Sequence, residues 1–244
     1  LDRLKAAHAT REQYVGTWLP EPVLTLDAPS DPQLAAERHE SITLAFLVLL
    51  ETLTPVERAV FLLREVFEYG YDEIGAIVQA SPANCRQIFH RAKAQLANQR
   101  PRFPAPPAQQ HALVERFLRA TERGDLGALQ EVLAADVQLW ADSGGKAPAP
   151  RRLVQGRDTI AQLMVIFADS TLQLLGGDAS ALRMEMATVN GEAAFLVFIR
   201  GALDTAAICS TDGTRITALR LVRNPAKLAF LTSQLATGGN ALPF

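Results

Sequence analysis

The sequence predicts two domains of different class, an all-α helix-turn-helix domain followed by an α+β domain. Three observations predict it. Apolar residues recur at helical spacing from residue 31 to residue 96, with breaks at Thr54-Pro55, Gly70 and Ser81-Pro82. Pro101, Pro104, Pro106 and Pro107 then form a semi-rigid linker. Beyond it, two helical segments precede a series of short β-prone runs, the order expected of an α+β domain with a mainly antiparallel sheet. With 244 residues the chain is long enough for two modest domains, and 48% apolar with 20% charged residues is an ordinary soluble composition.

Taken in order, residues 2–16 read as the end of a helix. Trp18-Leu19-Pro20-Glu21-Pro22 must be extended, because each proline pushes its predecessor out of the helical region. Pro29 and Pro32 keep the chain irregular to about residue 32, so this stretch is a first linker. An indole is costly to leave in water, and Trp18 is expected to dock, either as a plug on its own domain or as a latch on the second. The breaks between 31 and 96 delimit four helices. Past the second linker, helices are expected at 112–122 and 126–133, the latter capped by Asp125. Strands follow at 137–140, 152–155, 172–175, 182–189, 193–199, 206–210 and 214–222, interrupted by a helical period over 158–167. Asn224-Pro225 starts a last helix to about residue 235, ahead of a tail at Gly238-Gly239.

Composition excludes several classes of function. The longest apolar run, residues 44–50, is far short of the ~20 residues that cross a bilayer, so no membrane partner is expected. The start lacks both Met and the apolar segment of a secretory signal, and the chain is expected to begin inside a longer protein. Cys85 and Cys209 lie far apart in apolar patterns, and no Cys/His group has metal-ligand spacing. We therefore expect reduced, buried thiols in a cytoplasmic protein, with no cofactor. The net charge of −2 conceals an uneven distribution. From residue 74 to residue 114 there is no Asp or Glu, while Arg86, Arg91, Lys93, Arg100 and Arg102 fall in that stretch. A local basic stripe on a weakly acidic chain suits a phosphate-binding face.

The most informative segment is 71–96. Asp72 to Val78 form a short helix with Ile74, Ile77 and Val78 expected inward, and Gln79-Ala80-Ser81 a tight turn. Ser81 caps the next helix, and Pro82 occupies its first turn, where the missing N–H costs nothing. In that second helix Cys85, Ile88 or Phe89, Ala92 and Leu96 make the buried stripe. The other face carries Asn84, Arg86, Gln87, His90, Arg91 and Lys93, side chains able to donate to base edges and phosphates. A helical hairpin with a merely solvated basic face would show part of this pattern, without the conjunction of short helix, tight turn, cap and acid-free surroundings.

A resemblance enters here. The runs Thr54-Pro55-Val56-Glu57-Arg58-Ala59-Val60-Phe61-Leu62-Leu63-Arg64, Tyr71-Asp72-Glu73-Ile74-Gly75, Ser81-Pro82-Ala83-Asn84-Cys85-Arg86-Gln87 and His90-Arg91-Ala92 resemble region 4 of extracytoplasmic-function sigma factors. Leu1-Asp2-Arg3-Leu4 resembles the last turn of region 2, so most of the part that would melt the −10 element is expected outside this chain. Trp18 to Pro22, Asp142-Ser143-Gly144-Gly145-Lys146 and Asn224-Pro225-Ala226-Lys227-Leu228 resemble the subgroup with a fused SnoaL-like domain of the NTF2-like cone fold; Ser143 stands where a glycine is more usual. The resemblance implies core RNA polymerase and promoter DNA as partners. By position, Arg86, Gln87, His90 and Arg91 would face the −35 element, and Arg64 is a weaker candidate for a backbone contact. It also divides the chain into the end of region 2 with the first linker (1–32), region 4 (33–100), the proline-rich linker (101–108), the SnoaL-like regulatory domain (109–236) and the tail (237–244).

The resemblance does not say whether that domain is an enzyme or a regulator, since the fold serves both. Acid–base chemistry would need positioned titratable groups, yet the domain has no tyrosine and a single histidine, His111. Asp136, Asp158 and Asp204 read as cap and turn residues, and Glu185, alternating with Leu182, Met184 and Met186, is expected to face solvent. Regulation in cis is the expected role. The residues expected to carry it are Trp18, Leu19, Pro20, Glu21 and Pro22 in the first linker, Asp142, Gly144, Gly145 and Lys146 in the glycine-rich loop, and Asn224, Pro225, Lys227 and Leu228 at the last helix. The loop reads either as an ordinary hairpin or as a docking loop in which Lys146 pairs with Glu21. The alternative is a domain that binds or converts a small molecule, of unknown identity, and signals to the DNA module. A pocket filled by its own Phe, Leu and Met side chains would favour contact regulation; an open pocket with converging polar groups would favour a ligand.

Overall fold

In the computed structural model of the protein the described residues are 14–25, 53–97 and 106–237, together with Leu47 and Leu50. The chain divides into two compact units, one holding Tyr14 and the described residues between 47 and 97, the other holding 15–25 and 106–237. Residues 18–25 of the stretch read as a linker thus pack as part of the second unit, and residues 14–16, read as the end of a helix, are not helical. The first of the four expected helices and the tail beyond residue 237 lie outside the described residues, apart from helical Leu47 and Leu50.

The first unit contains α1 (Pro55–Glu65), α2 (Tyr71–Val78) and α3 (Pro82–Ala97). Thr54 and Glu57 form a reciprocal capping box at the start of α1, with Pro55 at its first position, which satisfies end donors that the helix cannot. Val60, Phe61, Ile74, Cys85, Phe89, Ala92 and Leu96 make one core, in which the rings of Phe61 and Phe89 stack at 6.0 Å. Arg58 is buried too. Its guanidinium donates from Nε to the Leu50 carbonyl at 2.9 Å and from Nη2 to that of Leu53 at 3.2 Å, tying the segment before α1 to the core.

The second unit contains α4 (Pro107–Glu122), α5 (Leu126–Val132), β1 (Leu133–Asp142), β2 (Val154–Gln155), α6 (Arg157–Leu174), a 3-10 turn (Ala179–Ala181), β3 (Leu182–Val189), β4 (Glu192–Ile199), β5 (Ala202–Thr211), β6 (Ile216–Val222) and α7 (Pro225–Ala236). The sheet order is β2-β1-β6-β5-β4-β3. All neighbours are antiparallel except β1 and β6, which run parallel with Asp142 level with Val222. The strand expected at 172–175 is instead the end of α6 and the residue after it. The alternation Leu172-Gln173-Leu174 imitates a strand, but nothing breaks the helix before Gly176 and Gly177, both at positive φ.

Strand alternation gives the sheet two buried faces. On one, Leu139, Phe195, Ala207, Cys209, Leu219 and Leu221 pack with Phe117, Leu129, Ile160 and Met164 of α4, α5 and α6. On the other lie Ala194, Leu196, Ala206, Ile208 and Val222, all nearly inaccessible, on the side where α7 meets β5. Both cysteines are free and buried, and desolvation pushes each thiol above its ordinary value. No helix among the described residues is long and apolar enough to cross a membrane.

Candidate nucleic-acid interface and linker-docking site

The turn between α2 and α3 is built as its residues require. Gln79 adopts the left-handed conformation with φ 57°, and Ala80 N–H closes the turn on the Gly75 carbonyl at 3.0 Å. A Cβ at Gly75 would lie 2.6 Å from the carbonyl oxygen of Ala80, so only glycine fits there. Ser81 Oγ accepts from Asn84 N–H at 3.2 Å and starts α3. One detail differs from expectation. Ile77 is 47% exposed, and the buried arc of α2 is Ile74, Gly75 and Val78.

Along α3 the division of faces is clean. Cys85, Ile88, Phe89, Ala92 and Leu96 are all buried, both Ile88 and Phe89 included. Asn84, Arg86, Gln87, His90, Arg91 and Lys93 are all exposed. They differ in how far they are committed. Lys93 bonds both carboxylate oxygens of Glu65 on α1, at 2.9 and 3.1 Å, an exposed pair worth about 0–1 kcal/mol and readily exchanged. His90 lies edge-on to Phe89 at 5.8 Å, and the Arg86 guanidinium lies over the Tyr71 ring at 5.0 Å. For the side chains of Asn84, Gln87 and Arg91 no partner is found among the described residues.

The second constellation holds residues 18–25 against the unit to which they belong. Asp142, at the end of β1, is fully buried, and its Oδ2 accepts from Leu19 N–H at 2.8 Å. Lys227 Nζ reaches the same oxygen at 2.6 Å, donates to the Leu19 carbonyl, and lies 4.0 Å from the centre of the Trp18 ring. One buried ion pair therefore grips both peptide groups of Leu19 and faces the indole beside it. Asn224 and Pro225 place that lysine: Asn224 Oδ1 accepts from Ala226 N–H at 3.1 Å as the cap of α7, which sets Lys227 in the first turn. Leu19, Pro20 and Pro22 are buried while Glu21 is exposed. The deep anchor is thus Leu19, 1% accessible, whereas Trp18 is only partly covered. Prolines suit such a buried extended segment, because they bring no N–H in need of a partner.

A second anchor had no counterpart in the sequence reading. Leu24 bridges Val189 in antiparallel fashion. Thr25 N–H donates to the Thr188 carbonyl and Asn190 N–H to the Val23 carbonyl, both at 2.8 Å. Asn190 Oδ1 accepts from Val23 N–H at 3.1 Å, and Gln234 Oε1 on α7 accepts from Leu24 N–H at 2.8 Å. Asn190-Gly191 reads as the hairpin turn it is, both residues having positive φ. Nothing in the sequence shows that the turn also grips a segment far upstream. Residues 18–25 thus form a strap fixed at both ends, by Lys227 and Gln234 on α7 and by Asp142 and Asn190 on the sheet.

The glycine-rich loop contributes differently from expectation. Lys146 is exposed, and among the described residues it makes no ion pair with Glu21; Lys227 is the lysine that meets the strap. Gly144 and Gly145 have positive φ, and a Cβ at Gly145 would come within 3.2 Å of Val15 Cγ1. The loop therefore lets the chain just ahead of the strap pass close by. Val15 and Gly16 line a cleft of about 160 Å³ with Ser143, Gly145 and the 147–151 segment.

Several of the carboxylates of this unit, Asp142 among them, have structural partners. Asp204 pairs with Arg223 at 2.8 Å, Glu185 pairs with Arg183, Asp158 accepts from Gln130 at 2.7 Å, and Glu192 accepts from Ser210 at 2.5 Å. His111 meets Thr188 Oγ1 at 3.2 Å. No cluster of potential metal ligands occurs among the described residues.

Comparison with known proteins places these two sites in context. The family model described as Sigma-70, region 4 matches residues 43–96, the span of the helix-turn-helix unit. The ECF RNA polymerase sigma factor SigJ of Mycobacterium tuberculosis is 34% identical over 238 residues, covering 93% of this chain and 74% of the relative. The probable ECF RNA polymerase sigma factor SigI of the same species is 29% identical over 241 residues, covering 98% and 77%. The crystal structure of Mycobacterium tuberculosis SigJ superposes with a TM-score of 0.66 at 31% identity, covering 90% of this chain and 76% of that one.

Proposed function

Because the chain belongs to the extracytoplasmic-function RNA polymerase sigma factors, which act in transcription initiation, we propose that the exposed face of α3 reads the −35 element of promoters for core RNA polymerase. We further propose that the carboxy-terminal domain governs this activity in cis through its hold on the strap. The observation that carries the first part is the division of α3: six polar side chains outward, five apolar ones inward, on a helix whose start is fixed by Gly75 and Ser81. In a recognition helix the amino-terminal half meets base edges, which puts Asn84 and Gln87 in reading position and Arg91 nearer the backbone.

The second part is supported by the kind of contact the strap makes. Its peptide groups, rather than only its side chains, are bonded at both ends, so its docked path is defined irrespective of most surface chemistry. Contact regulation is also favoured over ligand binding by the interior of the domain, which Phe117, Leu129, Met164 and Phe195 fill. Catalysis has no place in this reading, since Asp142, Asp204, Glu185, Asp158 and Glu192 are engaged by Lys227, Arg223, Arg183, Gln130 and Ser210, and Asp136 lies exposed on β1.

Selection of bound duplexes from a randomised pool tests the first part. Gln87→Ala should relax preference at one base position, a loss of about 1–3 kcal/mol of discrimination. An unchanged preference in both Gln87→Ala and Asn84→Ala would remove α3 from base reading.

A further inference from the structure

We propose that Tyr71 is a positioning residue that holds Arg64 and Arg86 together as one clamp on the DNA phosphate backbone, so that Arg86 grips the strand and does not read a base. The clamp rests on the reading of α3 as the promoter-facing helix. It deepens that reading by dividing the basic residues between two tasks.

Three helices meet at this point. Arg64 comes from the last turn of α1, Tyr71 opens α2, and Arg86 stands early in α3. The guanidinium carbons of Arg64 and Arg86 lie 4.9 and 5.0 Å from the centre of the same Tyr71 ring. The ring is itself fixed, edge-on to the core residue Phe89 at 6.2 Å, and Arg64 is further steadied by donating from Nη1 to the Tyr69 carbonyl at 2.8 Å. Neither arginine has a carboxylate within ion-pairing distance among the described residues. Lys93 nearby has Glu65, and the buried Arg58 has two carbonyls. Two like charges gathered about one aromatic ring without a counterion gain from cation–π attraction to it, and DNA phosphates supply the counterions they lack.

The same geometry argues against base reading by Arg86. An arginine that reads guanine extends its planar fork to O6 and N7 in the groove, whereas the Arg86 guanidinium lies over the Tyr71 ring at the start of α2. Its neighbour Gln87 is exposed and forms no side-chain hydrogen bond among the described residues, so it is free to reach a base.

The test is fluorescence anisotropy of the chain on a labelled mixed-sequence duplex over a range of salt, with base preference read separately from a randomised pool. Losing one phosphate contact lowers the slope of log affinity against log salt by about one. Arg64→Ala and Arg86→Ala should each lower it by about that amount and leave base preference as in the parent. Tyr71→Leu should lower it too, and Tyr71→Phe, which keeps the ring, should restore it. Parental slopes in both arginine variants would overturn the clamp, as would Arg86→Ala changing preference at one base with its slope intact. Should Tyr71→Leu fail to fold, the arginine variants, which lie outside the core, carry the same test. A parent that binds no duplex overturns the reading of α3 and the clamp with it. A parent that binds with salt dependence but is indifferent to both arginines overturns the clamp alone.

Discussion

Replacing Lys227 by methionine should open the strap while leaving the two folded units intact. The lysine makes three contacts with it or beside it: the 2.6 Å bond to Asp142 Oδ2, the bond to the Leu19 carbonyl, and the approach to the Trp18 ring at 4.0 Å. Asp142 is wholly buried and Lys227 nearly so. Removing one partner of such a pair leaves an uncompensated charge inside the protein and costs about 3–5 kcal/mol. The stem of methionine fills much of the space of the lysine stem, so packing loss adds little. The Leu19 anchor bears the loss, because the strap can lift away and let water reach the carboxylate. When reclosing is faster than cleavage, proteolysis follows the population of the open form. At tenfold per 1.4 kcal/mol, cleavage within residues 15–25 should rise by about a hundred- to a few-thousand-fold. The double variant Asp142→Asn with Lys227→Met should be less labile than Lys227→Met alone, because no buried charge is stranded. Cleavage at the parental rate in Lys227→Met, or equal rates in the single and double variants, would refute the ionic anchor.

Two further outcomes are expected. Gly75→Ala should destabilise the helix-turn-helix unit by about 1–3 kcal/mol, since its Cβ would fall 2.6 Å from the Ala80 carbonyl oxygen; a thermal melt of that unit at the parental temperature would contradict it. Asn190→Gly keeps the positive-φ turn but removes the acceptor for Val23 N–H, so strap cleavage should rise by up to about tenfold, the worth of one hydrogen bond, with little change in the unit's melting. A parental cleavage rate would remove Asn190 from the second anchor.

What could be read from the sequence was what is decided locally. The Ser81-Pro82 start of α3, its two faces and the long strands of the second unit all follow from caps, periodicity and turn residues close in the chain. What could not be read was decided at a distance or by rotation. Lys146 looked like the partner of the first linker because it adjoins the glycines. The parallel pairing of β1 with β6, however, sets Asp142 level with Val222, and so beside the start of α7 and Lys227. Ile77 fits an inward position on a helical wheel, but α2 has only eight residues and is turned by the close approach of Gly75 to the Ala80 carbonyl. Tyr71 looked like a first helical residue, and its place between two arginines depends on helices brought together only by the fold. At residues 172–175 a leucine alternation fits both periods, and only the absence of a breaker before Gly176 decides for helix.

Control of the DNA-reading unit through the strap is tested most directly by equilibrium affinity for a duplex selected by the parent chain, measured for the parent, for Lys227→Met and for the double variant Asp142→Asn with Lys227→Met. All three share an unaltered α3, so an effect on binding must come through residues 18–25. Affinity should depart from the parent in Lys227→Met and return towards it in the double variant, in the same order as the cleavage rates. Affinities equal to the parent's in both variants, with the strap of Lys227→Met demonstrably released, would contradict control in cis.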